Sequence, residues 1–147
     1  MKAETLSPIR KNPKTQIEIR WDELDPNQHV NNKNFQGYLD ETRMRAMRNW
    51  GFSMENLRAQ CFGPIILSVR MDIKREISYP ENVLIESDLF LKSPTRTFFE
   101  QRIITLSNQS LSCKASTDWV ILNLNSKRPS SFLEAFGLNE AARSGPL

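Results

Sequence analysis

Residues 22–50 read DELDPNQHVNNKNFQGYLDETRMRAMRNW, a polar turn running straight into a periodic segment. From about residue 33 to residue 50, the bulky or apolar positions Phe35, Tyr38, Leu39, Thr42, Ala46, Met47 and Trp50 recur at helical spacing. Lys33, Asp40, Arg43 and Arg48 are among the polar positions between them. Asn32 is the expected N-cap, with Asn31 beside it as a second capping residue, and Gly51 can take the left-handed conformation that closes a helix. The result is one long helix of about 27 Å at 1.5 Å per residue. The preceding DELDPNQHVNN is dense in Asp, Asn and Pro, whose side chains bond local backbone and interrupt regular structure, so it reads as a loop feeding the helix.

Before the loop, residues 16–21 (QIEIRW) alternate Ile17, Ile19 and Trp21 with polar residues, as a half-buried strand requires. Trp21 and Trp119 are expected as core aromatics within strands. After the helix, Gly63-Pro64 is expected to be a break, followed by extended segments at 65–77, 82–92, 95–106 and 110–124. In the first of these, Ile65, Leu67, Val69, Met71 and Ile73 alternate with Ser68, Arg70, Asp72 and Lys74. The separators (Pro80-Glu81-Asn82, Ser93-Pro94, Ser107-Asn108-Gln109) are short and rich in turn formers, which implies antiparallel pairing. A short helix is expected from Ser130 or Ser131 through Phe132, Leu133 and Phe136 to Gly137, then a frayed tail holding Ser144-Gly145-Pro146. The N-terminal MKAETLSPIRKNPK is expected to be a loose arm. This order predicts an α+β fold in which a five-stranded, mainly antiparallel sheet wraps one long helix.

With 147 residues, the chain fits one domain, read as 1–147 with its core at about 14–125 and the short helix at about 130–137. At 39% hydrophobic and 25% charged residues it has the composition of a globular protein. The net charge of +3 is spread among 17 acidic residues, so no basic stripe marks a nucleic-acid surface. Cys61 and Cys113 lack metal-ligand spacing, and no apolar leader implies an oxidising compartment, so the expectation is reduced thiols in a cytoplasm. No run approaches the roughly 18 apolar residues of a membrane span. Neither a metal nor another cofactor is expected.

The chemistry is concentrated in Asp25-Pro26-Asn27-Gln28-His29-Val30-Asn31-Asn32, which holds the single histidine of the chain. A helix start presents unpaired N–H groups and the positive end of the macrodipole, which can polarise a carbonyl or hold an oxyanion. Beside it stand a carboxylate that can act as base or nucleophile, an amide that can orient water, and an imidazole that exchanges protons near neutral pH. Taken by composition alone, the same residues also serve as caps and turn formers.

This segment, with the helix behind it, resembles the hotdog-fold thioesterases, and NQHVNN is similar to the active-site segment of plant acyl-acyl-carrier-protein thioesterases. In that family an Asp, an Asn and a His in DxNxH, with a Glu on the following strand, form the proposed catalytic set. The resemblance implies Asp25, Asn27 and His29, with Glu76 of Lys74-Arg75-Glu76 as the fourth member. The order of elements is also similar to the 4-hydroxybenzoyl-CoA thioesterase-like group over about residues 14–125. The plant enzymes place a Cys after the Glu, where this chain has Ile77, which excludes a thiol nucleophile there. They also carry two hotdog units where this chain has one, which implies a homo-oligomer, a dimer or tetramer, with residues of both subunits closing each pocket.

What the resemblance implies is hydrolysis of acyl-CoA or acyl-acyl-carrier-protein, with N–H groups around Val30, Asn31, Asn32 and Lys33 on the thioester carbonyl and either Asp25 or Glu76 activating water. Arg96, in the Ser93-Pro94-Thr95-Arg96 hairpin, is the candidate for a coenzyme A phosphate. The acyl slot is expected between Phe35, Tyr38, Leu39 and Met47 of the helix and Leu67 and Val69 of the strand. Alternatives are a hotdog 3-hydroxyacyl-thioester dehydratase and a non-catalytic acyl-thioester binding module. No nucleic acid or membrane is expected as a partner.

Overall fold

The structure, a computed structural model, describes residues 8–11 and 14–138. In chain order it has β1 (Arg10–Lys11), β2 (Thr15–Glu18), a single 3-10 turn (Trp21–Glu23), α1 (Asn32–Asn49), α2 (Met54–Ala59) and β3 (Phe62–Ile73). There follow β4 (Asn82–Ser93), β5 (Arg96–Thr105), β6 (Ser110–Asn123), β7 (Arg128–Ser130) and α3 (Phe132–Ala135). The expected Ser144-Gly145-Pro146 tail lies outside the described residues, as does most of the N-terminal arm; Arg10 and Lys11 of that arm pair with β4.

All strand pairings are antiparallel, and the principal order is β2-β4-β5-β6-β3, with β1 beside β4 and β7 beside β6. The sheet curls around α1, whose buried residues are Phe35, Tyr38, Leu39, Thr42, Arg43, Ala46 and Met47. This is the hotdog arrangement that the resemblance implies, with four long strands, the four-residue β2 as the fifth, and the short β1 and β7 added at its margins.

The local departures have physical causes. Trp21 is not a core strand residue: it is 68% exposed. The strand ends because Glu23 turns back, its carboxylate accepting the Arg20 N–H at 2.7 Å and its own N–H donating to the Arg20 carbonyl at 3.1 Å. The N-cap of α1 is Asn31 rather than Asn32, with its side-chain oxygen accepting the Lys33 N–H at 3.1 Å. Gly63-Pro64 lies inside β3, where an edge strand can spare a proline N–H. β3 ends at Ile73, so Lys74-Arg75-Glu76 falls beyond it.

A bulge at Leu67 breaks the alternation of β3: Ile66 pairs with Trp119, yet Ser68 pairs with Asp118. Cross-strand partners share a face, so Pro64 and Ile66 lie on the helix side with Val69, Met71 and Ile73, while Leu67 falls out of phase.

Between α1 and the sheet lie two apolar clusters. One holds Phe35, Leu39, Val83, Ile85, Ile103 and Ala115; the other holds Met47, Leu89, Leu91, Phe99, Trp119 and Ile121. A polar belt of Thr42, Arg43, Ser87, Gln101 and Thr117 separates them, one layer deep on each element. The Gln101 amide donates to Ser87, Thr42 and the Leu39 carbonyl at 2.9–3.1 Å, and Arg43 Nη1 donates to Gln101 Oε1 at 3.0 Å.

Candidate active site

The loop before α1 is built by Asp25. Its Oδ1 accepts the N–H of Asn27 at 2.8 Å and that of His29 at 3.3 Å, and its own N–H donates to the His29 carbonyl at 2.7 Å. Gln28 takes a positive φ of 66° to make the turn. His29 leaves the turn bridged to Ser78, and the Val30 N–H donates to the Ile77 carbonyl at 2.8 Å. The segment after β3 is held from the other side, where the N–H groups of Lys74 and Arg75 converge on the Ser112 carbonyl and Ser112 Oγ donates to the Arg75 carbonyl at 2.7 Å.

These two tethered segments meet around a cavity of about 410 Å³ at the start of α1. Asp25, His29, Asn32 and Glu76 line it, with Phe35 and Ile73 as apolar walls. His29 Nε2 stands 3.8 Å from Glu76 Oε1, close enough for charge to be felt and too far for a hydrogen bond. Asp25 Oδ2 has no hydrogen-bond partner among the described residues.

The N–H groups of the helix start are not equivalent. Val30 donates to Ile77, Asn31 to the Glu23 carbonyl at 2.8 Å, and Lys33 to the Asn31 cap. The Asn32 N–H has no partner among the described residues, and it lies at the positive end of the helix. Tyr38, nearly two turns further on, does not line the cavity, and burial first, then the nearby Glu23 and Asp22 carboxylates, holds its phenol well above the ordinary range.

Of the residues expected from sequence, Asp25, His29, Val30, Asn31, Asn32 and Glu76 come together around the cavity. Asn27 is exposed in the turn and does not line it, and neither does Lys33. Arg96 opens β5 seven residues from Ile103, which lies in register with Cys113 and Ile73, so it stands roughly 23 Å along the sheet from this end. Among the described residues no group of His, Cys, Asp and Glu forms a metal site, and no helix is long and apolar enough to cross a membrane. The residue missed from sequence is Arg43, placed among the polar positions of the helix yet 3% exposed. Its signal was its phase, one position past Thr42 and in register with Phe35, Leu39 and Ala46.

A sequence model of the family described as Thioesterase-like superfamily matches residues 19–138. No curated protein matches the sequence. Among solved structures, a DHNA-CoA thioesterase from Staphylococcus aureus superposes with a TM-score of 0.76 at 21% identity, covering 84% of this chain and 83% of the other. A hypothetical protein from Staphylococcus aureus in complex with CoA gives 0.79 at 13% identity, covering 98% and 88%. The 12:0-ACP thioesterase from Umbellularia californica gives 0.77 at 12% identity, covering 88% of this chain and 49% of the other. At these identities the likeness is one of fold.

Proposed function

The chain belongs to the thioesterase-like superfamily and is an acyl thioester hydrolase, and from that premise we propose that it cleaves acyl-CoA or acyl-acyl-carrier-protein at the cavity before α1. One observation carries this reading: Asp25, His29, Glu76 and the uncommitted Asn32 N–H converge on a single cavity.

The thioester carbonyl oxygen sits against the Asn32 N–H, where the helix dipole favours the charge that develops on it. A water attacks the carbonyl carbon and gives its proton to a carboxylate, either Glu76 or the free Oδ2 of Asp25. The tetrahedral adduct collapses, the C–S bond breaks, and the thiolate leaves and is protonated. His29, bonded through its backbone to Asp25 and facing Glu76, relays protons between carboxylate and leaving group. Because a thiolate leaves readily, positioning and one well-placed donor suffice.

A second copy completes the site. β3 is an edge strand on which Ile65, Ile66, Leu67 and Ile73 are 41–48% exposed, an apolar edge that a solitary chain would leave open to aggregation. Antiparallel pairing of two such edges about a two-fold axis roofs the seam between α1 and β3. It also brings the Arg96 end of one copy alongside the Asp25 end of the other, where the guanidinium can meet a phosphate.

The test is thiol release from a panel of acyl-CoA and acyl-acyl-carrier-protein esters by wild type, Asp25→Asn and Glu76→Gln. Wild type is expected to turn over part of the panel, and the carboxylate that takes the proton is expected to cost on the order of 10²–10⁴-fold in kcat when neutralised. A folded wild type that releases no thiol from any member sinks the proposal and leaves a binding module.

A further inference from the structure

A second cavity, of about 230 Å³, lies along the same seam, where α1 passes the other end of β3. Its near wall, Asp40, is eight residues beyond Asn32, about 12 Å along the helix. Met44, Ile66 and Phe99 give it an apolar lining, with Ile66 turned inward by the bulge at Leu67. Asp40, Arg43, Thr117 and Trp119 are the lining residues with polar side-chain atoms.

Of these, Arg43 brings the most donors and Asp40 brings acceptors. Arg43 Nη1 gives hydrogen bonds to Gln101 at 3.0 Å and Thr117 at 3.3 Å, and Nη2 to Asp40 at 3.1 Å. The planar guanidinium has five N–H groups, so two remain beyond these bonds. A buried donor left unmade is costly, so a cavity with donors in surplus favours a ligand that brings an acceptor. Asp40 already supplies one carboxylate to Arg43, and a second anion there would be repelled by it. A neutral oxygen fits better.

We propose that this cavity receives the far end of the acyl group and that Arg43 selects acyl chains carrying a neutral oxygen, a hydroxyl or keto group, at that end. The proposal rests on thioester hydrolysis at the Asp25 cavity and names the acyl class that site takes. Arg43 is a specificity residue here; the reacting carbon lies a helix segment away.

The experiment compares kcat/KM for hexanoyl-, octanoyl- and decanoyl-CoA with their ω-hydroxy and ω-carboxy counterparts. At the chain length that reaches Arg43, the ω-hydroxy ester is expected to exceed the plain ester by about tenfold or more, and the ω-carboxy ester to fall below the hydroxy one. In Arg43→Met the hydroxy-to-plain ratio falls to about one. Met44→Trp fills the same cavity without touching the buried belt, and it too abolishes the ratio, so the proposal stays testable where Arg43→Met does not fold. A wild-type preference for the plain ester at every length, or a ratio that survives in either folded variant, overturns it. Cleavage of plain esters without any hydroxy preference refutes this inference alone; no cleavage of any ester refutes the hydrolase reading and this one together.

Discussion

Asp25 holds its loop with one carboxylate oxygen and lines the cavity, its other oxygen without a hydrogen-bond partner among the described residues. Two substitutions separate these roles. Asp25→Asn keeps an oxygen for the Asn27 and His29 N–H groups, so its denaturation midpoint should stay near wild type while any effect on kcat reports the lost charge. Asp25→Ala also strips both N–H groups of their acceptor and should lower stability by about 1–3 kcal/mol in urea unfolding. The thiols differ as sharply. Cys61 is exposed, whereas burial first, with the Asp72 carboxylate, pushes the Cys113 thiol up to about 11. Iodoacetamide at about pH 8 should therefore give one adduct on the folded chain, at Cys61, and a second only after denaturation, as read by intact mass. At this scale Asp25 and His29 were legible as candidates because they share one short segment, while Glu76, far along the chain from His29, was reached only through the family resemblance. Arg43 was not, because its partners Gln101 and Thr117 lie on strands far along the chain.

Among the elements, α1 depends on its first residue boundary. Asn31→Ala removes the cap on Lys33 and should cost about 1 kcal/mol. Because the cap also sets where the Asn32 N–H stands, kcat should fall more than KM rises, a split visible in steady-state kinetics. The long helix and the strands β4, β5 and β6 were readable to within a residue or two, since period and turn residues agree there. β3 was misplaced for a specific reason. Gly63-Pro64 looks like a break to local rules, yet an edge strand tolerates both, and the bulge at Leu67 leaves no mark in the alternating pattern. The short α2 and β7 carry too few residues to show a period.

For the whole molecule, the proposed dimer rests on the exposed apolar edge of β3. Ile65→Lys together with Leu67→Lys should convert a dimer into monomers in sedimentation velocity and lower turnover in the same preparation, since charged edges block strand pairing. Inside, the polar belt divides the core. Gln101→Leu would leave Arg43 short of one acceptor in a buried layer and should destabilise the fold by about 1–3 kcal/mol in chemical denaturation. The belt also works as a keyway. A helix lying on an unbroken oily sheet can creep lengthwise with little change in contact, but here a slip of one turn, about 5.4 Å, would drag Arg43 into a greasy layer and strand Gln101. The depth at which the first turn of α1 stands in the Asp25 cavity is thus indexed from the middle of the protein, by a detent that lies a helix segment away from it.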